Sequence, residues 1–152
     1  MFRRLISTSD DVVLTILRLV LGVVFFAHGS QKMLGWFGGS GFSGTISDFA
    51  KFGMPTAVAL FAIFVEFFGS LSLLFGLLSR VAAFAIIVEM IGAVLTIHIH
   101  NGFFMNWIGR QKGEGFEYHL ITIALAFLIM VRGAGALSID YMMSSGDFRR
   151  NG

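Results

Sequence analysis

Four apolar stretches, residues 12–27, 56–78, 81–99 and 116–131, constrain this chain more than any other feature. A helix rises about 1.5 Å per residue and bilayer hydrocarbon is roughly 30 Å thick, so about 20 residues make a crossing. The second and third stretches reach that length directly. The first and fourth reach it once their flanks are added, giving expected spans of 12–30, 56–78, 81–99 and 116–137. Little apolar sequence is left over for a water-soluble core. Composition agrees: 56% of the 152 residues are hydrophobic and 13% are charged, against roughly 25% charged in a soluble domain, and mean hydropathy is +0.83. The expectation is an all-α protein of one domain, an integral membrane four-helix bundle whose backbone polar groups are satisfied within its own helices.

The first span, preceded by Arg3 and Arg4, has the look of a secretory signal, but Arg18 breaks its apolar run and Ala27-His28-Gly29 is a poor cleavage site. It is therefore read as retained. Gly22 and Gly29, Gly69 and Gly76, and Ala85 and Gly92 recur at seven-residue spacing, which lays small residues along one side of each helix for close packing; the same stripes would also serve self-association. Only Ser79 and Arg80 separate spans two and three, so these form a tight antiparallel hairpin. The other two connections are long and lie on one side of the membrane, away from both chain ends.

In the first long connection, residues 29–55 hold seven glycines and one readable helix, 46–52, opened by Thr45 with Asp48 three residues on and closed by Gly53 and Pro55. Its apolar Ile46, Phe49 and Ala50 share a face, as in a helix lying in the interface. Trp36 and Trp107 both fall on the long-loop side, where indole rings suit the headgroup level. Arg3, Arg4, Arg80, Arg132, Arg149 and Arg150 sit on the chain-end side, against Lys32, Lys51, Arg110 and Lys112 on the other. The excess of cations places both termini in the cytoplasm. These charges are scattered rather than clustered, so the partner surface is lipid and not nucleic acid. With no cysteine, the chain has no thiol nucleophile or disulfide, and redox chemistry would need a bound molecule or a partner protein.

Ionisable residues inside spans each invite a role and a partner. Arg18, Glu66 and Glu89 form the deep set, expected to meet as a buried charge network. One arginine facing two carboxylates has a structural reading, a lock on helix packing, and a chemical one, a proton relay through the uncompensated acid. An outer set, His28, Lys32, His98, His100, Glu117 and His119, gathers at span ends on the long-loop side. At about 100° per residue His98 and His100 point apart, as do Glu117 and His119, so one of each pair faces inward. Helical continuity from Glu89 favours His100. Phe103 and Phe104, beside His98 and Asn101, are placed to line an apolar head-group pocket. His28, His98 and Glu117 are suitable metal ligands, but no tight spacing motif supports a metal site, and none is expected. Gly39-Ser40-Gly41-Phe42-Ser43-Gly44 spells a dinucleotide fingerprint without its strand, and is read as a close-packed loop.

These residues resemble the DoxX family of small four-helix bacterial membrane proteins. His28-Gly29-Ser30-Gln31-Lys32 is similar to the family's His-Gly-x-Gln-Lys, Gly76-Leu77-Leu78-Ser79-Arg80 to its second turn, and His98-Ile99-His100-Asn101-Gly102-Phe103-Phe104 to its His-x-x-Asn-Gly-Phe-Phe. Glu117-Tyr118 and 133–140 complete the resemblance, which runs from Arg18 to Tyr141. It selects His98 over His100, where His100 replaces a common apolar or proline residue. The resemblance implies a bacterial inner-membrane protein, an oxidoreductase subunit whose relatives serve quinone-linked sulfur oxidation or thiol-redox complexes. On that basis the expected catalytic residues are His28, Lys32, His98 and Glu117, with Arg18, Glu66 and Glu89 holding charge. Trp36, Asn101, Phe103 and Phe104 are expected to line the site, and a quinone is the expected small partner. Two other classes stay open: a non-catalytic anchor or assembly factor for a soluble oxidoreductase, and a small proton-coupled carrier. The carrier ranks last, because no span has a Gly or Pro break at its middle.

Overall fold

The computed structural model describes residues 2–148 and is helical throughout, with no strand among them; Arg149 and Arg150, counted above for topology, lie outside the described residues. A short α1 (Phe2–Ile6) precedes α2 (Val12–Leu34). Asp11 caps α2, its carboxylate accepting from Val13 N and Leu14 N at 2.9 and 3.1 Å. The helix stops at Gly35, left-handed at φ +74°. It therefore runs four residues past the expected end, carrying Lys32 as well as His28 within the helix.

A turn of 3-10 helix at Trp36–Gly38 leads into α3 (Gly41–Lys51), which starts five residues earlier than expected. The Thr45–Asp48 capping box does not form. Thr45 instead donates from Oγ1 to Lys32 O (3.2 Å), and Asp48 accepts from Ser40 Oγ (2.8 Å) and Lys51 Nζ (2.7 Å). Four residues of the glycine-rich tract become the first turn of α3. Gly39 lies so close on the Gln31 backbone that a side chain there has no room.

The second span, α4 (Thr56–Phe75), is interrupted at its middle. Val65–Gly69 forms a single π turn between α-helical halves, an irregularity that widens the helix and collects at functional sites. The middle of this span has neither Pro nor a central Gly, as read from the sequence, yet it is broken, because a π turn requires neither. Leu78, at φ +51°, turns the chain into α5 (Ser79–Thr96), and α6 (Glu117–Arg132) and α7 (Ile139–Phe148) follow. α5 ends at Thr96, and His98–Asn101 continues as a 3-10 turn. α6 ends at Arg132, not at 137, since Gly133 takes φ +97° and 133–138 leaves the helical path.

Three helices, α2, α4 and α5, are long and apolar enough to cross a membrane; α6 is a 16-residue helix laid along α5. The core they share contains Leu21, Phe25, Val65, Leu73, Ile86 and Ile129. Large apolar side chains also cover the outside, among them Val20 and Val23 on α2, Phe64 and Phe68 on α4, Phe84 and Ile91 on α5, and Ile121 and Phe127 on α6. Such a surface belongs against lipid.

Arg18 does not meet Glu66 or Glu89. Its guanidinium points to the chain-end face. There Nε donates to Ala134 O (2.8 Å), Nη2 to Leu137 O (2.6 Å), and Nη1 to Leu74 O (3.0 Å) and Leu73 O. These are carbonyls at the end of α4 and along 133–138, where helical pairing runs out; Leu73 O also accepts from Gly76 N at 3.2 Å. Arg80 does the same for α6, donating to Met130 O and Val131 O (2.7 and 2.6 Å) and twice to Ser7 O. Asp140 completes the face, accepting from Leu78 N and Ser79 N at 2.8 and 3.0 Å. It caps α5 and supplies the nearby negative charge for both arginines.

α2 meets the π turn backbone to backbone. A methyl group on Gly29 would come within 2.6 Å of Glu66 C, Phe67 Cα and Phe67 N, whereas one on Gly92 would meet nothing. Gly29→Ala is expected to cost about 1–3 kcal/mol, and Gly92→Ala to be neutral or stabilising by up to about 1 kcal/mol, both read from unfolding midpoints in one detergent. Arg18→Lys should destabilise by about 2 kcal/mol or more in the same measurement, because a single ammonium cannot replace a planar fork on four carbonyls.

Candidate functional site

The helices part on the long-loop side of the π turn. The Thr56–Phe64 half of α4 packs on α2 and α3, while α5 packs on α6 and on the π turn itself, so α4 and α5 barely touch above that turn. Between them lies a cavity of about 620 Å³, within the roughly 300–1,000 Å³ of sites that bury small molecules. Its floor is Phe25, Glu66, Glu89 and Met90. Its walls carry His28 and Lys32 from α2, Val58, Phe61 and Ala62 from α4, and Val88, Gly92 and Ala93 from α5. Phe49, Met54, Met105 and Glu114 roof it, and His98, Tyr118 and His119 close the α6 side.

Most of this lining is apolar, and the polar groups fall into two clusters. At the floor Lys32 Nζ pairs with Glu66 Oε2 at 2.6 Å. Glu66 is held there by the close approach of Gly29 to the π turn, and Lys32 by one further helical turn of α2. Glu89 adjoins Glu66. Its Oε2 is buried and has no hydrogen-bond partner among the described residues, although the two carboxyls are close enough to share a hydrogen bond. At the α6 side the His98 and His119 rings lie 4.0 Å apart between centroids. His98 is anchored by Nδ1 to Glu114 O at 2.8 Å. His119 is 6% exposed, and its Nδ1 is also buried without a partner among the described residues. Buried polar atoms of this kind are few in folded proteins, and each calls for an explanation.

Of the residues expected to form the site, His28, Lys32, His98, Glu66 and Glu89 line the cavity, with His28 exposed at its rim. Arg18 is absent, being committed to the chain-end carbonyls. Glu117 is absent as well: its Oε1 accepts from Met105 N (2.8 Å) and Trp107 Nε1 (3.3 Å), which folds the second long loop. Asn101 braces that loop through Glu114 O. Phe103 and Phe104 stack edge to face on the loop exterior, and Trp36 is half exposed beyond α2; none of the four lines the cavity.

Sequence reasoning placed His119 in the outer set but chose Glu117 over it, and it did not assign Tyr118 or Glu114 to the site. A signal for His119 was present. His119, Thr122, Ala126 and Ile129 form the buried stripe of α6, and extending that stripe backward from Ile129 reaches His119 and passes Glu117 by. For the other pair, His98 faces inward and His100 is exposed. The 3-10 turn after Thr96 breaks the angular count that favoured His100. Among the described residues no group of three or more His, Asp or Glu is arranged to hold a metal ion.

No solved structure matches this chain. Among characterised sequences it is 26% identical over 146 residues, 96% of both chains, to "Putative oxidoreductase CatD" of Bacillus subtilis (strain 168). The DoxX family model matches residues 13–99, a stretch that begins at the foot of α2, takes in the Gly29 contact, the π turn and Glu89, and ends just beyond His98. With more than half of its length matched in this way, the chain belongs to the DoxX family.

Proposed function

We propose that this membrane protein is the lipid-embedded component of a redox system, and that its cavity takes the head group of a quinone. The observation that carries the reading is the pair of buried, unanswered atoms, Glu89 Oε2 and His119 Nδ1, in the lining of one apolar cavity. A ring with a carbonyl oxygen at each end supplies an acceptor for each once Glu89 carries a proton and His119 carries its hydrogen on Nδ1, and its faces suit Phe25, Phe61 and Met90. A bound quinone takes up two electrons and two protons on its oxygens. The residues of the chain handle the protons: Glu89 and His119 hold or release them, and Lys32, fixed by Glu66, keeps the floor close to neutral. The electrons come from a partner oxidoreductase, since a cysteine-free chain has no thiol pair of its own.

In nanodiscs holding the full chain, Glu89→Leu and His119→Phe should each weaken equilibrium binding of a benzoquinone by about tenfold or more. Glu117→Gln should leave that binding within about twofold and instead speed proteolysis of the second long loop. If the unaltered protein binds no quinone but retains a soluble oxidoreductase on its long-loop face, it is an anchor.

The same reading sets the protein in a bacterial inner membrane with both termini in the cytoplasm, supported by the cations on the chain-end face. Because the chain has no cysteine, single thiols report cleanly. A membrane-impermeant maleimide should label Gln111→Cys in intact cells and Ser9→Cys only after lysis; the reverse pattern inverts the topology.

A further inference from the structure

We infer that the cavity draws its ligand sideways out of the bilayer, through a portal between α4 and α5, and that this ligand carries an apolar tail left lying in the portal. The inference rests on the quinone reading and deepens it, separating lipid-borne quinones from small water-borne ones. Four residues of the cavity wall also belong to the outside of the bundle. Val58 and Phe61 on α4 and Val88 on α5 are 43%, 41% and 44% exposed while lining the cavity. Between them Gly92 presents no side chain, and the place where its Cβ would stand is empty. All four lie on helices long and apolar enough to cross the membrane, so what faces the gap is hydrocarbon.

The long-loop side, by contrast, is lined by loop residues and by polar groups. Phe49 and Met54 cover it from α3 and the segment after it, and Met105 and Glu114 from the second loop. Glu114 is tied down through its carbonyl by both His98 and Asn101. A ligand from water would pass the exposed, polar His28 and Glu114, whereas one from lipid meets only apolar side chains.

The gap follows from packing on either side of it. Gly29 pulls the π turn against α2, and α4 leans on α2 and α3 from there outward, while α5 follows α6. The polar residues Glu66, Glu89 and His119 line the cavity on the buried side and the exposed apolar residues stand at the opening, so a head group enters first and an alkyl or isoprenoid chain trails between Val58, Phe61 and Val88. Such a chain stays in hydrocarbon throughout, so leaving it in the portal carries no desolvation cost.

The test closes the portal in the full chain. Val58→Cys with Val88→Cys, in this cysteine-free background, is joined by a bismaleimide long enough to span the gap, and the same double variant treated with a monofunctional maleimide is the control for folding. Equilibrium binding of a decyl-tailed benzoquinone in nanodiscs should fall at least about tenfold on cross-linking. Gly92→Phe, which fills the opening from one side, should reproduce the loss without a reagent. Undiminished binding of the tailed quinone by both the cross-linked protein and Gly92→Phe would overturn the portal and leave the quinone reading standing. If the unaltered protein binds neither the tailed ring nor a tailless one, the quinone reading falls and the portal inference falls with it.

Discussion

An unanswered carbonyl in hydrocarbon costs several kcal/mol, and the way this chain answers its helix ends organises the whole bundle. Arg18 and Arg80 reach across to the C-terminal carbonyls of α4 and α6, and Asp140 caps the N-terminus of α5. Cations at helix C-termini and an anion at an N-terminus also complement the helix dipoles. The result is a chain-end half in which every long helix is tied to a neighbour through side chain and backbone. Gly76 makes this closure possible. At φ +66° it ends α4 beside the Arg18 guanidinium, where a Cβ would come within 2.9 Å of Nη1.

The other half is built differently. α2 and α4 are joined by a backbone contact at Gly29 and an ion pair at Lys32–Glu66, but nothing draws α4 to α5 above the π turn. One half of the molecule is therefore closed by arginine clamps and the other held open by the direction of its helices. Of the four buried atoms without partners among the described residues, two, on Glu89 and His119, belong to residues that line this open half. A protein that served only as a membrane scaffold would gain from an apolar residue at either position, since an unpaired buried polar group is destabilising.

Much of this was legible in the sequence, and the misses share a cause. Hydrophobic length located the helices because burial in lipid depends on composition summed over about 20 residues. It could not locate their ends, which depend on single backbone states such as Gly35 and Gly133 in the left-handed region. Depth counting placed Arg18 within reach of two glutamates, yet a guanidinium on a long stem finds whichever acceptors need it most. The carbonyls of 133–138 became acceptors only because α6 stopped at Arg132, so an error about a helix end became an error about a charge network. The π turn left no compositional mark, although the Gly29 stripe hinted at close approach. Gly92 belonged to a similar stripe but packs against nothing, and spacing alone does not distinguish a contact from an opening.

The two floor acids are unequal, and geometry assigns their roles. Lys32 lies 2.6 Å from Glu66 and satisfies its charge, with both side chains on backbones locked together at Gly29. Glu89 stands on a different helix, beside Glu66 and without a cation of its own, one oxygen buried and unanswered. A polar group presented to Glu66 would compete with Lys32 for a carboxylate that is already paired, whereas Glu89 Oε2 has no partner to displace. The cavity floor thus presents one carboxyl oxygen without a partner among the described residues, beside an ion pair that fixes the neighbouring carboxyl.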